Sequence, residues 1–125
     1  MLWGALLCWA AGVLWLSSLS PPDLPESAFL LSDKVNHFLI YAVGGWLSAR
    51  ALTVSRPHAT VTGRIVPAVL IVTAVGVLDE SLQRLTPGRA GGDVGDVVAD
   101  MIGAVAGALL SLLIRTASRG ARDVR

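Results

Sequence analysis

Four predominantly apolar runs dominate the chain, at residues 2–19, 35–54, 65–82 and 94–114. Each approaches or reaches the roughly 20 residues that cross a hydrocarbon core about 30 Å thick. In lipid, every backbone N–H and C=O must find its partner within the segment, so such runs form helices and not isolated strands. The connections SPPDLPES, SRPHATVTG and TPGRAGGD are short and rich in proline, glycine, serine and threonine, the residues of turns. The expectation is an all-α, polytopic membrane protein built as a bundle of four transmembrane helices, with a membrane domain over 1–116 and a basic tail over 117–125.

Composition supports that class. The 125 residues are 54% hydrophobic and 15% charged, against about 25% charged in a soluble domain. A length of 125 residues suits one compact unit. The single cysteine, Cys8, excludes an intrachain disulfide and a thiolate metal cluster. The first run lacks a basic leader and a small-residue cleavage site, so it is read as a retained helix and not as a signal peptide. Trp3, Trp9, Trp15 and Trp46 suit interfacial anchoring or packing.

Lys and Arg near the helix ends set the orientation. With four crossings, Arg50, Arg56, Arg64, Arg115, Arg119, Arg122 and Arg125 share one side, and Lys34, Arg84 and Arg89 the other. This asymmetry predicts both termini in the cytoplasm. The tail arginines suit anionic headgroups as well.

Alternating topology also brings the start of helix two, the end of helix three and the start of helix four to one membrane face. Nearly all the embedded polar residues lie there: Lys34 and His37, then Asp79, Glu80 and Gln83, then Asp93, Asp96 and Asp100. At about 100° per residue, three stripes emerge. Helix two carries Lys34, His37, Tyr41, Gly44 and Ser48 on one arc, and helix three Thr73, Gly76, Glu80 and Gln83. Helix four carries Asp93, Asp96, Asp100, Gly103 and Gly107. Small residues at such positions mark helix–helix packing in membranes, so the stripes are expected to face the bundle interior. Asp79 lies about 100° from Glu80, and of the two Glu80 is the better candidate for the interior.

Charged residues in a membrane cost roughly 2.5 to 3.5 kcal/mol each at the helix centre, so several at one depth must pair, meet water or hold a ligand. Lys34 and Arg89 are suited to a phosphate or pyrophosphate, Arg through its planar fork. Glu80 beside His37 would supply acid–base catalysis. The competing reading is an internal ion-pair network in which Lys34 and Arg89 neutralise Glu80 and Asp96. His37, Glu80 and Asp96 are nitrogen and oxygen donors, but without a spaced histidine pair no metal and no cofactor is expected. His58, beside Pro57, reads as a solvated loop residue. No phosphate-binding loop occurs, and Gly91-Gly92 lacks a strand before it, so nucleotides and nucleic acid are not expected partners.

Three segments together, SDKVNHFLIY at 32–41, LDESLQRLTPGR at 78–89 and GDVVADMIGAVAG at 95–107, resemble the VanZ-like membrane proteins. The family pattern is approximately D-K-x-x-H-F-x-x-Y, D-E-x-x-Q-x-x-x-P-x-R and D-x-x-A-N-x-x-G. The resemblance spans three of the four helices and carries over to Asp33, Lys34, His37, Tyr41, Glu80, Gln83, Arg89, Asp96 and Gly103. Asp100 departs from it, standing where the family usually has Asn. The resemblance implies a bacterial inner-membrane protein and a link to resistance against the glycopeptide teicoplanin; it implies no assigned reaction. The expected site therefore has His37 and Glu80 as its acid–base pair. Lys34, Tyr41, Gln83, Arg89 and Asp96 bind substrate, and Asp33, Asp79, Asp93 and Asp100 form the surrounding network. Membrane lipids, through a phosphorylated headgroup, are the expected ligands. The alternative is a non-enzymatic partner of other membrane proteins, or a homo-oligomer, joined through glycine-rich helix faces. The residues leave open whether the protein is an enzyme.

Overall fold

In the computed structural model, residues 1–26 and 30–123 are described, with side chains through Ile114. The chain forms α1 (Leu2–Ser17), a 3-10 turn (Pro21–Asp23), α2 (Asp33–Ser55), α3 (Thr62–Leu85) and α4 (Val94–Asp123). No strand occurs among the described residues. The basic side chains expected after the last span, Arg115, Arg119, Arg122 and Arg125, lie outside the described ones.

Three helices are long and apolar enough to cross a membrane: Asp33–Ser55, Thr62–Leu85 and Val94–Ile114. The expected fourth span is shorter than its apolar run. α1 has 16 residues, about 24 Å at 1.5 Å each, against a core of about 30 Å. It ends at Ser17 because Pro21 and Pro22 follow, and proline cannot continue a helix. Its ends nonetheless reach both ends of the bundle. The Trp3 indole donates to Ser55 Oγ at the end of α2 (2.8 Å), and Thr86 Oγ1 donates to the Ser17 carbonyl (3.0 Å).

The packing inverts the arrangement of a soluble protein. Large apolar side chains point outward, among them Leu39 and Val43 on α2, Leu70 and Val77 on α3, and Ile102, Leu109 and Leu113 on α4. Small and polar residues fill the interior, as lipid-facing bundles require. The stripes read from helical phase face inward over most of their length: His37, Tyr41, Gly44 and Ser48 are buried, as are Gly76, Glu80, Gln83, Asp96, Asp100, Gly103 and Gly107, whereas Lys34 and Asp93 at the helix starts are exposed and Thr73 is half-buried.

The tightest seam joins α2 to α4. A Cβ on Gly45 would lie 2.7 Å from the Ala104 Cα, and one on Gly107 would lie 2.7 Å from the Ala42 carbonyl carbon. Real side chains do not approach so closely, so these glycines let two backbones touch. α1 instead packs on α2 and α3, with the Trp9 ring edge-on to Tyr41 at 5.5 Å. Leu6 and Val13 bury its inner face.

Candidate functional site

α2 supplies the centre of the polar layer. Its i, i+4 spacing sets Asp33, His37 and Tyr41 along one face, with the His37 and Tyr41 rings stacked at 6.1 Å. His37 Nδ1 lies 2.8 Å from Asp100 Oδ1. A carboxylate only accepts, so the proton of this bond belongs to Nδ1, and the lone pair of the neutral ring is on Nε2. The expected partner, Glu80, is farther away: its Oε1 lies 3.9 Å from His37 Nε2, beyond hydrogen-bond reach.

Glu80 is occupied elsewhere. Its Oε2 accepts the backbone N–H groups of Gly92 (2.7 Å) and Asp93 (3.0 Å), and so it ties the α3–α4 connection to α3. That connection folds back hard on α3, since a Cβ on Gly91 would lie 2.7 Å from the Arg84 Cα. Gly92, at φ +86°, takes a conformation that favours glycine.

Helical phase favours Glu80 over Asp79 for the interior, yet both are buried. Asp79 is 2% exposed, and Glu80 is 4% exposed. Tyr41 OH donates to Asp79 Oδ2 at 3.0 Å, and Ser17 of α1 donates to Oδ1. The 100° between neighbouring helical positions therefore points Asp79 toward α1 and Glu80 toward the α4 entrance, and both directions are covered.

Lys34 serves the acids of α4. Its Nζ bridges Asp93 Oδ2 (2.7 Å) and Asp96 Oδ1 (3.0 Å) at an exposed edge. Asp93 also caps α4, accepting the Gly95 N–H at 2.7 Å. Those two bonds, the lysine first, hold the Asp93 carboxyl below the usual carboxylate range.

A cavity of about 570 Å³ opens beside this layer. Its polar surface comprises Ser17, Asp33, Asn36, His37, Tyr41, Asp79, Gln83 and Arg89, and its apolar surface includes Leu16, Pro21, Leu24, Pro25, Leu31 and Ile40. Of the residues expected to bind substrate, Tyr41, Gln83 and Arg89 line the cavity. Lys34 and Asp96 do not, because they are paired with each other across α2 and α4. Glu80 is absent from the lining because the α3–α4 connection holds it. Sequence reasoning missed the wall formed by α1 and its proline-rich connection; Ser17, polar at the end of an apolar run, was the available signal. Arg89 forms no ion pair among the described residues, although Asp33 and Asp79 share its cavity.

Two groups of donors lie close enough to hold a cation. The ligand atoms of Asp33, His37 and Asp96 fall within 4.8 Å of one another, as do those of His37, Asp79 and Asp100. Comparison with known proteins gives one finding of family. The VanZ/LLP1 family model matches residues 3–115. No curated protein and no solved structure is matched by the chain.

Proposed function

The chain belongs to the VanZ/LLP1 family, and from that premise we propose that it binds the phosphorylated headgroup of an envelope lipid in the cavity between α1, α2 and α3. The observation that carries this reading is Arg89, a guanidinium facing an amphipathic cavity without a carboxylate partner among the described residues. A planar fork of donors suits phosphate oxygens. The apolar rim of Leu16, Leu24, Leu31 and Ile40 suits the first carbons of acyl or prenyl chains. Asp33 and Asp79 share the cavity with Arg89, so a headgroup carrying an amine beside its phosphate matches the charges better than a bare phosphate. His37, held through Nδ1 by Asp100 with Nε2 free of any hydrogen bond shorter than 3.5 Å, is the acid–base group of the site if a reaction occurs there.

The same reading places the protein in a bacterial inner membrane, with four crossings, both termini cytoplasmic and the cavity outward. The arginine asymmetry supports it, and so does α1, which begins beside Ser55 and ends beside Asp79 and Thr86 despite its length. The family's link to teicoplanin resistance fits a protein that handles a cell-envelope lipid.

A second reading, a non-enzymatic partner with a structural charge network, draws on the Lys34–Asp93–Asp96 ion pairs and the His37–Asp100 bond, which clamp α2 to α4. Its proposed docking through glycine faces is weakened because Gly45, Gly103 and Gly107 are already covered within the molecule.

Lipid copurified in mild detergent and identified by mass spectrometry tests the first reading. We expect a phosphate-bearing lipid whose recovery falls about tenfold in Arg89→Ala, the loss of one charge-assisted contact. Equal recovery in Arg89→Ala, with the protein folded, would favour the second reading.

A further inference from the structure

We propose that Asp33, His37 and Asp96, with Glu80 at the edge, bind one divalent transition-metal ion of the zinc or manganese class beside the polar end of the cavity. Metal binding here does not depend on whether a lipid occupies the cavity.

The geometry around His37 Nε2 comes first. Asp33 Oδ1 and Glu80 Oε1 each lie 3.9 Å from it, and the donor atoms of Asp33, His37 and Asp96 lie within 4.8 Å of one another. Ligands held about 2.0–2.1 Å from a tetrahedral ion stand about 3.4 Å apart. The 3.9 Å separations from Nε2 are too long for hydrogen bonds and need a contraction of about half an ångström to enclose an ion, and a separation at the 4.8 Å bound needs about 1.4 Å. The exposed Asp33 side chain is the one that would move.

His37 is also oriented as a metal ligand is. Nδ1 is held by Asp100 at 2.8 Å, which leaves the Nε2 lone pair pointing at the other acids. A ligating histidine characteristically gives its second ring N–H to a carboxylate in this way. The other group of donors, His37 with Asp79 and Asp100, does not offer the same arrangement. Asp79 is held by Tyr41 and Ser17, and the Asp100 bond occupies Nδ1.

Glu80 supplies the independent sign of a missing ligand. Oε2 accepts two backbone N–H groups, whereas Oε1, buried on the same carboxylate and facing His37 Nε2, has no hydrogen-bond partner. A buried carboxylate oxygen without a partner is costly. Charge points the same way. Among the described residues, Lys34 and His37 are the only basic side chains within 4.0 Å of the carboxylates of Asp33, Glu80, Asp93, Asp96 and Asp100. Lys34 is already shared by two of them. A divalent ion offsets the excess, and one imidazole with carboxylates suits zinc or manganese better than a soft ion.

The test titrates the chelator-stripped full chain in detergent micelles with Zn²⁺, then Mn²⁺, at neutral pH, reading stoichiometry by calorimetry and by metal content after desalting. One equivalent per chain is expected for at least one of the two ions. His37→Gln and Glu80→Gln should each weaken binding at least about tenfold, and Asp100→Asn about tenfold through the orientation of the ring. His58→Gln, at the other and exposed histidine, should bind like wild type. A wild-type stoichiometry near zero for both ions overturns the proposal, whatever the variants do. So does binding that survives both His37→Gln and Glu80→Gln.

Discussion

Asp79 and Glu80 are neighbours in the chain with separate tasks. Asp79 accepts hydroxyl donors from α1 and α2, and Glu80 accepts backbone donors from the α3–α4 connection. Each task predicts a distinct loss. Tyr41→Phe deletes the 3.0 Å bond to Asp79 and leaves that buried carboxylate with Ser17 as its one hydroxyl donor, costing about 1–3 kcal/mol. Unfolding in mixed micelles should show a shift of that size. Glu80→Ala should leave the helices formed but release the connection, so the amides of Gly92 and Asp93 should exchange with deuterium at least about tenfold faster, the loss of roughly 1.4 kcal/mol of protection. An unchanged exchange rate would mean that the carboxylate does not anchor the turn. Asp93 brings a pH dependence. Its folded carboxyl is held below its ordinary range by Lys34 and the Gly95 N–H. A depressed group contributes stability above its unfolded pKa and loses it as pH falls through the lower, folded value. Protection of the Gly95 amide should therefore be flat from neutral pH down to the ordinary carboxylate range and decline only below it.

At the scale of elements, the α2–α4 seam depends on the absence of side chains. Replacing Gly107 by Leu would drive carbon into the Ala42 carbonyl group and part the two helices. Overpacking of this kind costs typically about 1–3 kcal/mol, with more where backbone must move. Loss of the folded band in micelles, or a midpoint lowered accordingly, is expected of Gly107→Leu. Leu109→Ala, on an exposed face of the same helix, should be near neutral. These glycines were readable beforehand because a spacing of four residues on a helix is a face, and a face of glycines in lipid has little use except close approach. The partner of that face was not readable. Which helix covers Gly103 and Gly107 depends on how the loops let the bundle close, and the loops specify turns without specifying neighbours.

For the whole molecule, three spans follow from length and apolarity alone, since lipid permits no other backbone solution for such runs. Helical phase then dictates which residues face inward, and that is why His37, Glu80, Gln83, Asp96 and Asp100 could be assigned to the interior without coordinates. The side-chain partnerships could not be. His37 meets Asp100 at 2.8 Å and not Glu80 because the rotation of α3 about its axis turns Glu80 toward the α4 entrance. A rotation of that kind is set by packing, to which a one-dimensional pattern is blind. α1 shows the same division. Its apolarity announced a helix in the bundle, but Pro21 and Pro22 cut it to 16 residues, and only its packing on α2 and α3 turns Ser17 and the residues after it into a cavity wall. Periodicity and hydropathy are local properties of the chain, so helices and most inward faces were legible from them. The cavity, an Arg89 without an ion pair among the described residues and the oxygen of Glu80 without a donor among them arise from distances between segments up to tens of residues apart, and those distances exist only once the helices have packed.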